Sequence, residues 1–260
     1  MISYLKELYK FRELLFSLTK REIKVRYKQT TLGAAWAILQ PFSLMLIFSL
    51  VFGVLLKLES DSIPYPIFYY SALLPWTFFS TSFSFGALAI INNSSLITKI
   101  YFPRETIPLA SVGAAILDLT VASLIFLLMM IFYKTPLTFQ FIYVLPIIVI
   151  LVIFTTAMVL LSSALVVIWR DLKFVIPLAI QIWMFASPII YPLSQVPEGL
   201  KGIYMLNPMA VLINNFRKIT VGGDAANWQE LSLAAIVSII LFILCYLFFK
   251  QKEKIFADII

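Results

Sequence analysis

Long apolar stretches with almost no charge alternate along the chain with short polar or basic segments. A helix crosses the hydrocarbon layer of a bilayer when about 20 consecutive residues are mostly apolar. Six stretches reach or approach that length, and they predict spans at about 34–56, 67–91, 107–133, 144–169, 174–191 and 231–249. The pattern therefore predicts an all-α integral membrane protein with six transmembrane helices. We divide it into an N-terminal cytosolic helix (1–32), a transmembrane domain (33–250) and a cytosolic tail (251–260).

The region between the fifth and sixth predicted spans, 187–216, is rich in proline and yet apolar. Its charge-free run Gly202–Phe216 has 15 residues, which is too short to cross the membrane. Proline interrupts helices, and the backbone groups that this frees must be shielded by protein or water. We therefore predict a re-entrant hairpin on the extracytoplasmic side.

Composition excludes several classes of protein. Hydrophobic residues make up 62% of the chain and charged residues only 13%, so a soluble fold would expose large apolar patches. A soluble enzyme, a disordered chain and a disulfide-stapled secreted domain are excluded on this ground.

The net charge of +7 is mostly a signal of topology. With six spans both termini lie on one side, and that side receives 15 of the 20 basic residues, eight of them in the N-terminal segment. Because basic residues are retained in cytoplasmic loops, we expect both termini in the cytosol. A nucleic-acid partner is disfavoured. The charged segment ahead of the first span does not resemble a cleavable signal peptide, so we expect that span to remain as an anchor.

The residue inventory offers little for catalysis. Histidine is absent, Cys245 is the single cysteine, and no G-x-x-x-x-G-K-[ST] phosphate loop occurs. No carboxylate pair suited to glycosyl transfer or hydrolysis lies in the spans. We expect a transport protein that is not an enzyme, has no metal site or cofactor of its own, and takes its energy from a separate subunit.

The N-terminal segment has the spacing of an amphipathic helix on the membrane surface. Its basic residues and its apolar residues occupy different faces, the former at Lys20, Lys24 and Lys28 and the latter at Phe16, Ile23 and Tyr27. Alternation through Ile23, Val25 and Tyr27 also fits a strand, but a lone strand would leave its backbone unpaired, and a helix is favoured. Two roles stay open, namely anchoring to anionic lipid and docking of a cytosolic partner.

Polar side chains inside the spans fall on single helical faces. They could form helix–helix contacts, which is the commoner role, or line a hydrated path. The candidates for a substrate path are Trp36, Gln40 and Ser43 on the first span, Thr77, Thr81 and Ser84 on the second, and Gln181 on the fifth.

Asp118 is the one ionisable residue well inside a predicted span. A charge at mid-membrane costs roughly 2.5–3.5 kcal/mol on insertion scales, so it requires a reason. It could be a proton or ion site, or a carboxyl group that is hydrogen-bonded between helices. The second interpretation is favoured, because an ion-coupled transporter normally needs several such groups.

The loop between the second and third spans contains a short helix candidate. Ser94 or Ser95 can cap it and Pro103 ends it. It could be a simple connector, or it could present Tyr101 and Phe102 to a partner.

Four segments resemble one family, the type-2 ABC exporter permeases of the polysaccharide export branch, and within it most of all the membrane subunit of O-antigen exporters (Wzm type). These segments are REIKVRYKQTTLGAAWAILQP (21–41), YFPRETIPLA (101–110), WRDLKFVIPLAIQIWMFASPIIYPLSQVP (169–197) and LNPMAVLINNFRKITVGG (206–223). They occur in the family's order and extend from the N-terminal segment almost to the sixth span.

The resemblance implies a homodimeric channel that is lined by the first, second and fifth spans. Two cytosolic ATPase subunits, which bind ATP and Mg, would drive it. The N-terminal segment would be an interface helix and residues 94–102 a coupling helix. The ATPase-coupling residues would be Ser94, Leu96, Ile97, Lys99, Ile100, Tyr101, Phe102 and Arg104. The re-entrant region would be a gate with Pro188, Tyr191, Pro192, Tyr204, Asn207 and Pro208.

The substrate implied by the resemblance is a glycan polymer on polyprenyl diphosphate, moved from cytosol to periplasm across the bacterial inner membrane. A teichoic-acid or capsule exporter and a small-lipid or drug exporter of the same fold are the alternatives. A secondary transporter and a membrane glycosyltransferase are further alternatives from other classes.

Overall fold

The computed structural model describes residues 7–27, 35–135 and 138–259, and the regular elements in these ranges are helical. The all-α prediction is thereby confirmed. In chain order the helices are α1 (Arg12–Tyr27), α2 (Trp36–Phe48), α3 (Tyr65–Asn92), α4 (Ser94–Ile97), α5 (Thr106–Phe132), α6 (Val144–Ile168), α7 (Leu172–Phe185), α8 (Glu198–Met205), α9 (Pro208–Arg217), α10 (Trp228–Lys252) and α11 (Phe256–Ile259). A π-helical segment, Ser49–Leu55, extends α2, and a 3-10 turn, Phe139–Tyr143, precedes α6.

Five helical segments in the described part of the chain are long and apolar enough to cross a membrane. They are Trp36–Leu55, Tyr65–Asn92, Thr106–Phe132, Phe139–Ile168 and Trp228–Ile255. The predicted fifth span, 174–191, corresponds to α7, which has only 14 residues. At 1.5 Å per residue α7 extends about 21 Å, less than the hydrocarbon thickness of about 30 Å. The count of six spans therefore stays a prediction.

The centre of the bundle is α3, which packs against α5 on one side and α6 on another. Most of its side chains are buried, including the large rings of Phe68, Tyr69 and Tyr70. At Gly86 the two helices α3 and α6 approach so closely that a Cβ atom would lie 2.5 Å from a methyl carbon of Val159. A glycine is needed there, because close helix packing in a membrane depends on small residues at the contact.

Three helices contain a proline in their interior, namely Pro41 in α2, Pro75 in α3 and Pro177 in α7. An interior proline removes one backbone hydrogen bond and favours a bend. Pro108 and Pro146 lie instead in the first turns of α5 and α6, where no intrahelical bond is lost. The interior prolines are thus confined to α2, α3 and α7 among the described helices.

The predicted N-terminal helix is present as α1, which lies against α5. Of the predicted apolar face, Ile23 and Tyr27 are half-buried and Phe16 is exposed, while Leu18 is buried. The crossing is tight, because a Cβ atom on Gly113 would lie 3.0 Å from the hydroxyl of Thr19. Lys28, which we placed on the basic face, lies outside the described residues.

The two ends of the bundle are distinct. At one end α1, the loop 93–105 and the C-terminal residues meet in a single apolar cluster, and we call this the loop end. At the other end the short helices α8 and α9 follow α7. We call this the hairpin end after the predicted re-entrant hairpin, which stays a prediction. The predicted tail 251–260 is not a free extension, because Phe256 is fully buried against Phe249 at the loop end.

Candidate functional site

A cavity of about 760 Å³ lies among α2, α3, α5, α7 and the end of α1. Its walls carry aromatic rings and hydroxyl groups together with one acidic and one basic side chain. The lining residues include Arg26, Tyr27, Trp36, Gln40, Pro41, Leu44, Thr77, Ser80, Thr81, Ser84, Phe85, Asp118, Leu119, Ile180 and Met184.

Five of the seven predicted path residues lie on the cavity wall: Trp36, Gln40, Thr77, Thr81 and Ser84. Ser43 and Gln181 are not among the lining residues, and both are exposed. On α2 the lining continues from Gln40 to Leu44, and on α7 it passes through Ile180 and Met184. Ser43 and Gln181 are therefore sequence neighbours of lining residues. Consecutive residues are rotated by about 100° around a helix of 3.6 residues per turn, so these two side chains point in another direction.

The hydroxyl groups on α3 are partly engaged within their own helix. Thr77 donates to the carbonyl of Leu74 at 3.0 Å, and Ser80 donates to that of Thr77 at 3.3 Å. Their oxygens can still accept hydrogen bonds from a solute. The rings of Trp36 and Phe85 are about half exposed and offer flat apolar faces beside these groups. Such a wall can contact a solute that has both hydroxyl groups and apolar faces, without one fixed binding geometry.

Asp118 is paired at the edge of the cavity. Its carboxylate accepts a hydrogen bond from Arg26 Nη1 at 2.8 Å and another from the Tyr27 hydroxyl at 2.5 Å. The Arg26 guanidinium also lies over the ring of Phe85, 4.2 Å from its centroid. The favoured interpretation of Asp118 as a hydrogen-bonded group agrees with this geometry, and we call the set the cavity trio (Asp118, Arg26, Tyr27).

Sequence reasoning missed the role of Arg26, which we counted only as a cytosolic charge. Its partner is 92 residues away along the chain, and the spacing within α1 gives no signal of it. The trio also affects Tyr27, whose pKa is raised above its ordinary value by burial and by the hydrogen bond to Asp118. The phenol therefore stays protonated and keeps donating to the carboxylate.

A second trio lies at the loop end. Lys250 Nζ donates to Glu105 at 2.8 Å, and the Tyr246 hydroxyl donates to the other carboxylate oxygen at 3.2 Å. We call it the sealed trio (Glu105, Lys250, Tyr246), because the side chain of Glu105 has no exposed surface. Lys250 is one of the 15 basic residues that the charge count places on the cytosolic side, but its side chain is only 7% exposed.

The predicted coupling segment is helical only over α4, which ends at Ile97. Tyr101 is 85% exposed and Lys99 and Ile100 are exposed beside it, whereas Phe102 is only 5% exposed. Phe102 and Ile97 belong to the apolar cluster of the loop end. Arg104 donates to the backbone carbonyl of Glu253 and so ties the loop to the C-terminal residues. Tyr101 can contact a partner here, and Phe102 cannot, because the protein itself covers its ring.

Three of the predicted gate residues, Tyr191, Tyr204 and Asn207, make side-chain hydrogen bonds at the hairpin end. The hydroxyl groups of Tyr191 and Tyr204 lie 2.6 Å apart, and Tyr191 also donates to the carbonyl of Phe185. Asn207 caps α9 through the amide of Met209, and its side chain also accepts from Trp183 and donates to Ser187. The three predicted prolines, Pro188, Pro192 and Pro208, are buried.

Arg217 is a further residue that sequence reasoning missed. It is one of the five basic residues that the charge count leaves on the extracytoplasmic side, but it is 4% exposed. It donates to the backbone carbonyl groups of Phe68 and Ile189, and its guanidinium lies 3.7 Å from the centre of the Phe68 ring. It thereby fastens the end of α9 to α3 and to the segment that follows α7.

Comparison with known proteins identifies the family. Residues 13–221 match the ABC-2 type transporter family. The chain is 32% identical to the O-antigen export system permease protein RfbA of Myxococcus xanthus over 99% of both chains, and 29% identical to the protein of that name from Klebsiella pneumoniae over 95% of both. It is 23% identical to the polysialic acid transport protein KpsM of Escherichia coli over 92% of this chain and 93% of the relative.

These matches confirm the resemblance inferred from the four sequence segments. Together with the five apolar helices they make the chain a multi-pass membrane protein and a transport subunit. The chain belongs to the ABC-2 type transporter family.

Proposed function

We propose that this chain is the membrane-spanning subunit of an ATP-driven exporter of polysaccharide in the bacterial inner membrane. It acts as a homodimer and moves a glycan linked to polyprenyl diphosphate from the cytosol to the periplasm. The cavity wall is the observation that carries the proposal, since it joins half-exposed rings to hydroxyl groups along α2 and α3. The names of the relatives, which are permeases for O-antigen or a transport protein for polysialic acid, support a polysaccharide substrate.

Energy for transport comes from a separate ATPase subunit that docks at the loop end. The exposed side chains of Lys99, Ile100 and Tyr101 form the contact. They are attached to the cluster that also holds α1 and Phe256, so a force applied to them reaches several helices together.

A second copy of the chain completes the conduit. Gln181 supports this, because it lies in the middle of α7 on an exposed face among apolar side chains. An amide without a partner costs several kcal/mol in hydrocarbon. Contact with the facing subunit or with a shared aqueous path removes that cost.

The conduit is tested by narrowing it. Ser84→Trp puts a large ring on the cavity wall, and we expect normal abundance and ATPase association but a severe loss of long polymer at the cell surface. Ser232→Trp is the matched control, since Ser232 is exposed on α10 and is not a lining residue. Surface polymer is measured beside the amount of subunit in the membrane. Loss of polymer only in proportion to loss of protein would assign Ser84 to packing and reject this path.

The docking surface is tested with two neighbouring rings. Tyr101→Ala should change the free energy of unfolding by no more than about 0.5 kcal/mol, because the ring is exposed. It should nevertheless weaken co-purification of the ATPase. Phe102→Ala should instead lower stability by about 3–5 kcal/mol, because it leaves a cavity in the cluster. Unchanged co-purification and export in Tyr101→Ala would refute this assignment of the loop.

A further inference from the structure

A second, smaller hollow lies between α5 and α6, with α3 and α9 behind it. It has a volume of about 150 Å³, and we call it the slot. Its lining is made of aliphatic and aromatic side chains and one serine: Pro75, Leu119, Ser123, Phe126, Leu127, Phe141, Val144, Ile147, Ile148, Leu151 and Phe216.

The slot offers no favourable site for water. No lining residue is charged, and the Ser123 hydroxyl already donates to the carbonyl of Leu119 at 2.7 Å. A buried water needs two to four polar partners, whereas apolar hollows of about this volume stay dry and accept small hydrocarbons. The chemistry of the slot therefore selects an apolar occupant.

The slot opens on the apolar outer surface of the bundle. Its floor is buried at Phe126, Ile147 and Leu151, while Leu127 at the rim is exposed. The residues that flank the rim on the two helices are exposed and aliphatic as well: Leu124 and Leu128 on α5, and Leu145 and Val149 on α6. In a spanning bundle such surfaces face lipid. The slot is continuous with that surface.

We propose that the slot binds one acyl chain of a membrane phospholipid. Its length fits a stretch of chain, because Leu119 and Leu127 are eight residues apart on α5, or about 12 Å along the axis. It runs from the middle of the bundle towards the hairpin end, where Phe141 and Phe216 close it. Bilayer phospholipid is the occupant because its chains always border the open side. The inference does not depend on which polymer is exported.

The occupant supports the wall of the conduit. Leu119 lines both the slot and the cavity, and Pro75 in the slot directly precedes Trp76 and Thr77 in the cavity wall. An empty slot would leave the outer side of that wall without contact atoms, and the lost dispersion contacts would weaken it. A bound chain restores these contacts and holds the wall in place.

The test uses the purified full chain in nanodiscs of phosphatidylethanolamine and phosphatidylglycerol that contain a phospholipid with a diazirine on its acyl chain. After photolysis, peptide mass spectrometry locates the adducts. We expect them to concentrate on Leu127 and Ile148 above the neighbouring positions Leu128 and Val149. Ser123→Phe fills the slot and should reduce labelling at Ile148 several-fold. Leu128→Phe, which adds the same ring outside the slot, should not.

Two results would overturn the proposal. Equal labelling of the slot and the neighbouring positions would mean that only ordinary surrounding lipid is present. Labelling of the slot by a diazirine polyprenol, but not by the phospholipid, would assign the slot to another molecule. If Ser123→Phe fails to fold, Ser123→Leu and Ile148→Phe fill the slot less severely or from the opposite wall. The labelling requires no transport, so its failure leaves the proposed export function standing.

Discussion

The cavity trio and the sealed trio are built from the same three chemical groups. In each a carboxylate accepts hydrogen bonds from one basic side chain and one tyrosine. They differ in enclosure, since the side chain of Asp118 is 20% exposed and borders the cavity, whereas that of Glu105 is 0% exposed. Water in the cavity can solvate Asp118 when its partner moves away, and Glu105 has no such alternative. The comparison indicates that the ion pair of the sealed trio stays formed, whereas the ion pair of the cavity trio can separate.

The largest effect is expected from breaking the sealed trio. Lys250→Met leaves the Glu105 carboxylate buried and without its cation, and should destabilise the protein by about 3–5 kcal/mol. The midpoint of thermal unfolding in detergent measures this. The double variant Lys250→Met with Glu105→Gln should recover much of the loss, because the fully buried carboxylate is then neutral. The Glu253 carboxylate, which Lys250 also contacts at 3.1 Å, is partly exposed and can be solvated.

Lys254→Met is the control for that experiment, because Lys254 is exposed and lies four residues later at the same end. It should change stability by less than about 0.5 kcal/mol. If Lys250→Met proves no more harmful than Lys254→Met, then Glu105 is solvated and the contrast between the trios disappears.

A smaller effect is expected from breaking the cavity trio. Arg26→Met removes the cation, but Asp118 keeps the Tyr27 hydrogen bond and gains water from the cavity. The loss should be about 1–3 kcal/mol, the cost of leaving a partly buried group unsatisfied. Thermal unfolding again measures it, with the exposed Lys24→Met on α1 as the control. A loss as large as that of Lys250→Met would show that the cavity does not hydrate Asp118.

The smallest effect concerns the tyrosine of the cavity trio, and it changes with pH in the alkaline range. An unfolded tyrosine ionises near pH 10, and the pKa of Tyr27 is raised in the folded state. The unfolded chain therefore loses this proton first, so the contribution of Tyr27 is full below about pH 10 and declines as the pH rises further. Tyr27→Phe should cost about 1 kcal/mol at neutral pH and should reduce the alkaline decline.

Unfolding midpoints measured from pH 8 to 11 test this prediction. Tyr9→Phe is the matched control, because Tyr9 is an exposed tyrosine near the same helix. An alkaline decline that is equally steep in Tyr27→Phe and in the original protein would assign the pH dependence to other groups.

Much of the fold could be predicted from the apolar runs, because a spanning helix must satisfy its backbone internally and needs a definite length. The residue at which α7 ends could not be predicted in this way. Its apolar sequence continues to Ile190, but the helix stops at Phe185, ahead of Pro188 and the turn that Asn207 and Ser187 hold together. Those contacts join residues on different elements, and the local pattern does not contain them.

The candidate site was predictable in composition but not in the direction each side chain faces. In lipid an apolar side chain is equally suited to face the bilayer or a neighbouring helix, so apolarity does not mark the inner face of a span. For that reason the sequence could not tell Ser43 and Gln181, which do not line this cavity, from the five path residues that do, and their place on the path stays a prediction. The partners of Arg26, Lys250 and Arg217 are 92, 145 and 149 residues away, and only the tertiary packing brings them together.

The interior prolines have a mechanical consequence. Pro41, Pro75 and Pro177 lie in α2, α3 and α7, which supply most of the cavity wall, and each leaves the carbonyl four residues earlier without its helical donor. A helix can bend at such a proline without breaking a further backbone hydrogen bond. Flexibility is therefore concentrated in the three helices that supply most of the cavity wall. The helices α5, α6 and α10 have no interior proline and remain stiff. A force applied at the loop end would therefore widen the cavity by bending α2, α3 and α7, while the other long helices of the bundle stay straight.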